Sequence, residues 1–414
     1  MEPTGLTGRP SATGRWAALG GFLGPAARDA VALFVSLRLV LGLVAIYLWW
    51  QGSLPGPCHF ELARNGWQTI PPLADQGAAF PLVGVWQRWD ACWYTKIATF
   101  GYERAENSVN FWPFFPLLTA IVGRLLLGAM ALGGLVVAGL AYVVAMTGLR
   151  RLVALDFDDG TALATTIAIS VFPTAFFFFA PFTESLFLAA AVWAILAARR
   201  RLWLLAAIAA LAASLTRIQG VFLVLPIGWE ALMWWREVRV ARGGHGFPGL
   251  PAGTLLRPIV AALAPAAGFI GFLVVSSLIA GQTPLDTQEV WGGKSFHLPW
   301  EVVDASWTWA IEHHDPLQAL NLVTLLFFAV VTVVGVRQVP VAYSLYSIPQ
   351  IVLIGTRIQP TPLTSTARYL LVVFPVFVLL ALVPGRWVRF AWLIGSTMLL
   401  AVLVAAFLHG EYVA

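Results

Sequence analysis

Eleven apolar runs, each near the length that crosses a lipid bilayer, dictate the architecture open to this chain. A spanning helix needs about 20 mostly apolar residues. Such runs lie at 27–49, 131–150, 161–180, 182–198, 202–215, 219–235, 258–280, 316–336, 341–357, 363–383 and 387–408. Only 11% of the residues are charged, against about 25% in soluble domains. That leaves too little polar sequence to coat a water-soluble core, and it excludes a soluble enzyme and a disordered chain. Two cysteines in 414 residues cannot staple a secreted scaffold. The expectation is an all-α polytopic membrane protein, one integral-membrane domain over 1–414 with about eleven transmembrane helices.

Residues 111–128 are apolar enough to suggest a twelfth span. Counting them as one throws Arg150–Arg151, Arg199–Arg201 and the Arg-rich stretch 236–257 to the outside. Reading them as a helix in the outer interface restores the positive-inside rule along the whole chain. Of the 25 Lys and Arg, 15 then lie inside and 9 outside, with Arg38 in the middle of the first span. The 20 acidic residues divide 7 inside and 13 outside. The net charge of +5 therefore sits at membrane edges and implies no nucleic-acid partner. Residues 1–26 lack the pattern of a removable signal peptide and read as a short cytoplasmic tail, and 236–257 as a flexible cytosolic connector.

Two outer segments are long: 50–128, including the interfacial helix, and 281–315. Loops of this length are usually functional or disordered. Both are rich in Trp, Pro and Gly, and both are expected to fold over the outer face. No internal repeat is visible, so an inverted-repeat transporter gains no support.

Ionisable residues in or beside a membrane point to function. Four groups fall on the outer side: Trp86–Ala98 with Asp90, followed by Gly101-Tyr102-Glu103; Pro181–Ser185 with Glu184; Ser214–Gly220 with Arg217; and Ser365–Tyr369 with Arg368. Arginines suit a lipid phosphate, which they grip in a bidentate fashion. One carboxylate suits the deprotonation of an attacking sugar hydroxyl. A phosphate leaving group is already weakly basic and needs positive charge rather than a general acid. A glycosidase would need two carboxylates across the scissile bond. One base and two arginines thus fit glycosyl transfer from a lipid phosphate.

The run W-x-R-W-D-A-x-W-Y-x-x-I-A-x-x-G-Y at 86–102, with F-W-P-F-F-P at 111–116, resembles the PIG-V-type mannosyltransferases of glycosyltransferase family 76, which have the GT-C fold. Pro173, Pro181 and Thr183-Glu184-Ser185 resemble the family's P-T-A-F-F…P-Y-T-E-S-L-F. Thr216-Arg217 and Gly220 resemble its T-R-x-N-G, with Gln219 in place of Asn. Arg368-Tyr369 and Pro375 resemble its R-Y…F-P. The resemblance implies an inverting mannosyltransferase with a polyprenyl-phosphate mannose donor, a glycolipid or glycan acceptor, and an outer or lumenal site. It implies Asp90 as the base. Arg217 and Arg368 would then be phosphate ligands, with Glu184, Tyr369, Trp89, Trp93, Lys96 and Glu103 as further substrate-binding candidates. No cofactor is implied, and a divalent metal stays open. The Arg-rich, Lys-poor composition looks bacterial, which points to a bacterial plasma membrane as host, with the ER membrane as the alternative for a eukaryotic source.

Each of these residues has a plainer alternative. Asp90 could pair with Arg88 or Lys96, Glu184 could cap a helix, Arg217 could form a buried structural pair, and Arg368 could snorkel. Arg38 is expected to meet a buried acid or carbonyl. Lys96 could be a partner of Asp90 or lie on a solvated face. His297, His313 and His314 lack metal-ligand spacing. Cys58 and Cys92 share the oxidising side, so a disulfide is open. The rival functions are a flippase for a lipid-linked sugar, a transferase for another lipid-phosphate sugar, and a silent assembly subunit.

Overall fold

A computed structural model describes residues 24–55, 77, 79–103, 107–241, 252–287, 296–358 and 361–413. Among these residues the chain is all-α, with no strand beyond one antiparallel bridge between Phe296 and Arg357. In order the helices are α1 (Pro25–Trp50), α2 (Ala79–Leu82), α3 (Asp90–Phe100), α4 (Phe114–Leu125), α5 (Met130–Val153), α6 (Asp159–Ser170), α7 (Glu184–Arg199), α8 (Trp203–Ser214), α9 (Val224–Ala241), α10 (Ala252–Ala280), α11 (Pro299–Glu312), α12 (Pro316–Gly335), α13 (Val341–Gly355), α14 (Thr366–Leu370), α15 (Phe374–Leu382) and α16 (Arg386–Leu408). Local chemistry sets several of these ends. Pro25, Pro299 and Pro316 start helices, where their missing N–H costs nothing. Asp315 caps α12 by accepting from the Leu317 and Gln318 N–H groups.

Six helical segments are long and apolar enough to cross a bilayer: Pro25–Trp50, Met130–Val153, Ile218–Val240, Gly253–Ala280, Pro316–Gly335 and Arg386–Leu408. The protein is thus a membrane-embedded helical protein. α1 exposes Leu39, Val40 and Leu43 on its outer surface, as a lipid-facing helix should. α5 is the hub and packs against α1, α4, α6 and α7.

The other apolar runs form helices that are shorter or broken. α6 has 12 residues, α7 16, α8 12, α13 15 and α15 9. At 1.5 Å per residue these measure about 14 to 24 Å, short of a ~30 Å hydrocarbon core. The run 161–180 is α-helical only to Ser170 because Pro173 follows, lacking an N–H and disfavouring α geometry in the residue before it. The chain then folds through a 3-10 turn, Ala175–Phe178, whose phenylalanines are buried. The run 363–383 splits into α14 and α15 ahead of Pro375. Apolar composition alone could not separate a straight span from a helix that stops partway.

Residues 111–128 contain α4, 12 residues and about 18 Å long. It turns back onto α5 over residues 130–138: Phe115 packs with Val137 and Ala138, and a side chain on Gly133 would lie 2.7 Å from the Gly123 nitrogen. Leu117, Ile121 and Leu125, one helical turn apart, stay exposed. Arg38 meets carbonyls rather than an acid: it donates to Phe179 O at 3.2 Å and Leu82 O at 2.9 Å, with its guanidinium 4.9 Å from the Trp86 ring centroid. It thereby satisfies one backbone oxygen past the 3-10 turn of the interrupted run and one at the end of α2.

Candidate functional site

The ends of the short helices converge, and the charged residues sit there. Asp90 opens α3, where the helix dipole favours a carboxylate. The residues before it are scaffolding. Arg88 is buried and donates to Pro55 O at 2.7 Å and Leu408 O at 3.3 Å, and burial pulls its guanidinium pKa down to about 10. Gln87 Oε1 accepts from the Thr95 hydroxyl at 2.8 Å. Trp89 adopts φ 51° and meets Tyr412 edge-on at 4.9 Å. Tyr94, one turn after Asp90, shares its face. Burial, reinforced by the Asp90 carboxylate, raises the Tyr94 pKa well above its ordinary value, so the hydroxyl stays protonated.

Asp90 pairs with neither Arg88 nor Lys96. Its Oδ2 accepts from Arg368 Nη1 at 2.6 Å. Arg368 Nε donates to Glu184 Oε1 at 2.6 Å, and Arg217 Nη1 donates to the same oxygen at 2.8 Å. The result is an ion ladder, Asp90–Arg368–Glu184–Arg217, assembled from four separate segments. Glu184 is fully buried, and the Arg368 and Arg217 side chains are 3% and 9% exposed, whereas that of Asp90 is 28% exposed. The ladder therefore runs from a wet end to a dry one. Aromatic faces hold the guanidinium groups: Arg368 lies 4.6 Å from the Phe182 centroid and 4.9 Å from that of Phe177, and Arg217 lies 5.1 Å from that of Tyr369. The backbone beside Arg368 is clamped. Ala367 N–H donates to Asn321 Oδ1, and its carbonyl accepts from the Thr174 hydroxyl, both at 2.9 Å.

The ladder borders a cleft holding about 1090 Å³ of empty space, open solvent at its mouth included. Asp90, Tyr94, Thr183, Thr216, Arg217, Gln219, Thr366, Arg368 and Tyr369 line it. Asn110, Phe111 and Trp112 enter from the first long loop and Pro284 from the second, so both loops reach the site. A third arginine, Arg357, lines it too. Glu184 stands directly behind the wall. Among the described residues the cleft and its wall thus carry three arginines and two carboxylates, an arrangement able to hold an anion beside a carboxylate.

Four of the residues singled out by charge, Asp90, Glu184, Arg217 and Arg368, come together, and Tyr369 joins them. Others stand apart from the cleft. Trp93 is buried and stacks on Phe111 at 5.3 Å. Lys96 is buried, not solvated, with its ammonium 5.4 Å from the Trp93 ring centroid. Glu103 is exposed beyond α3. His313 stacks on Trp309, and His297 lies 3.6 Å from Glu301. Cys92 is disulfide-bonded; Cys58, the chain's other cysteine, lies outside the described residues. Among the described residues no group of three or more His, Cys, Asp or Glu side chains could hold a metal ion.

Sequence reasoning missed Tyr94, Arg357 and Thr366. Tyr94 had an available signal, its i+4 spacing from Asp90 on one helix. Thr366 lies within the Ser365–Tyr369 group, two positions before Arg368, whereas Arg357 comes together with the rest only through the fold. No protein-family model matches the chain, and no curated protein or solved structure matches it.

Proposed function

We propose that the chain is an inverting glycosyltransferase of GT-C architecture, similar to the PIG-V-type mannosyltransferases. In this reading it moves mannose from polyprenyl-phosphate mannose to a glycolipid or glycan acceptor on the outer or lumenal face. The observation that carries the reading is the ladder: one carboxylate at its exposed end, and guanidinium groups locked in the dry wall of a cleft.

Asp90 is the base. Among the described residues only its Oδ2 is bonded, to Arg368, which fixes the carboxylate and turns it toward the cleft. It accepts the acceptor hydroxyl's proton as that oxygen attacks the anomeric carbon from the face opposite the phosphate. The C–O bond to the phosphate breaks and the electron pair leaves on polyprenyl phosphate. Arg368 and Arg217, with Arg357 also lining the cleft, stabilise that departing dianion. Glu184 keeps the two ladder arginines in place before the reaction, so little reorganisation is needed. Tyr369 stiffens Arg217 and presents a ring to the cleft.

The eleven-span count belongs to the same proposal. Six long helices and five short or interrupted ones make eleven passes, with 50–128 and 281–315 as outer loops. The amino terminus is then cytoplasmic, and the host is a bacterial plasma membrane. The short helices stop below the outer surface and leave a recess where a lipid phosphate can meet a water-borne acceptor.

The test is to supply polyprenyl-phosphate mannose with labelled sugar to the purified protein in vesicles. Net appearance of mannose in a new glycosidic bond supports a transferase. Translocation of intact donor without transfer supports the flippase reading instead.

A further inference from the structure

Sugars carried on one kind of lipid phosphate differ by the placement of single hydroxyls. A transferase distinguishes them with buried polar groups that one hydroxyl pattern satisfies and another leaves unmet. Two side chains in the cleft have this character. Gln219 Oε1 and Thr366 Oγ1 are buried and have no hydrogen-bond partner among the described residues. Both residues line the cleft, and they are 4% and 0% exposed. Each stands two positions from a ladder arginine, Gln219 after Arg217 and Thr366 before Arg368, and those arginines share one oxygen of Glu184.

Both are also held on rigid backbone. The turn bearing Gln219 is seated by Gly220, where an added Cβ would lie 2.4 Å from the Ser214 nitrogen. Thr366 precedes the clamped Ala367. Unmet polar atoms on fixed supports beside a charged site are what a preorganised hydroxyl-binding pair requires.

We propose that Gln219 and Thr366 read the transferred sugar. Gln219 accepts a hydrogen bond from one glycosyl hydroxyl through Oε1, and Thr366 donates to or accepts from another through Oγ1. The inference rests on the transferase reading above and adds to it the groups that set sugar choice.

The experiment is a competition with the full-length protein. Polyprenyl-phosphate mannose and polyprenyl-phosphate glucose are mixed, each with a distinct label, and the sugar ratio in product is read. Wild type is expected to prefer one sugar strongly. Gln219→Leu and Thr366→Val are each expected to shrink that preference by roughly 10- to 100-fold, with the melting temperature held or raised, since each removes an unmet buried atom. An unchanged ratio in both variants overturns the proposal, as does a wild type without preference. Should turnover in the variants be too low to read, binding decides. Wild type is expected to bind the mannosylated donor more tightly than bare polyprenyl phosphate, and the variants to lose that difference; variants that keep it overturn the proposal. Transfer that depends on Asp90 while selectivity ignores Gln219 and Thr366 sinks this inference alone. A wild type that transfers nothing sinks it together with the transferase reading.

Discussion

Glu184→Gln isolates what the buried end of the ladder contributes. The wild-type carboxylate is fully buried and accepts two charge-assisted bonds, at 2.8 and 2.6 Å. Gln keeps an acceptor oxygen in the same place but removes the charge. Arg368, nearly as buried, then keeps only Asp90, and Arg217 loses the carboxylate it holds. Breaking a buried pair by removing one partner costs about 3–5 kcal/mol, and a sum over two charged hydrogen bonds at ~1.5–3 kcal/mol each gives a similar figure. The same logic makes the damage partly reversible. Adding Arg217→Gln removes the stranded cation, and the Asp90–Arg368 pair remains. The double variant should therefore be more stable than Glu184→Gln alone, with a coupling of about 1–3 kcal/mol in the double-mutant cycle. Reversible unfolding in detergent, followed by tryptophan fluorescence, reads all four proteins. Strictly additive losses, or a Glu184→Gln protein as stable as wild type, would refute the claim that Glu184 holds two charges in a dry wall.

Further outcomes follow from particular contacts. Gly220→Ala forces a Cβ onto the Ser214 backbone; it should cost about 1–3 kcal/mol and abolish transfer by displacing Arg217, both measurable on one preparation. Asn321→Ala leaves the Ala367 N–H unmet; a loss of about 1–3 kcal/mol and reduced donor binding are expected, from thermal unfolding and a binding titration. Asp158, which caps α6, has its pKa held below the ordinary carboxylate range by the Thr161 hydroxyl and N–H. Its contribution is present above the unfolded-state pKa and lost as pH falls through the lowered folded value. The stability gap between wild type and Asp158→Ala should thus close under strong acid and stay open at neutral pH.

Much of the site was legible because charge is costly in an apolar chain. Asp90, Glu184, Arg217 and Arg368 each interrupt or border apolar sequence, and that expense singles them out. Their mutual pairing was not legible, since spacing along the chain says nothing about which of four distant segments meet. Arg217 and Arg368 read as phosphate ligands, with a buried structural pair and a snorkelling arginine as the plainer alternatives; in the fold each holds a carboxylate. Lys96 looked like a partner for Asp90 or a solvated group, yet it is packed against Trp93. The fold shows the same division. Apolar runs announced a membrane protein, but hydropathy reads straight through Pro173 and Pro375, where backbone geometry breaks the helices. Trp89 and Trp93, close to the carboxylate in sequence, pack against Tyr412 and Phe111 and do not line the cleft; Trp89 stands before α3 at φ 51°, and Trp93 is taken up by its stack on Phe111.

The most direct measurement compares wild type with Asp90→Asn for transfer from polyprenyl-phosphate mannose, with donor binding measured in parallel. On the proposed mechanism the substitution should slow turnover by about 10²–10⁴-fold and leave donor affinity within a few-fold of wild type, with the wild-type product carrying the anomeric configuration opposite to the donor's. Wild-type turnover from the Asn variant, or a product that retains the donor's configuration, would contradict a single carboxylate working against an arginine-held phosphate.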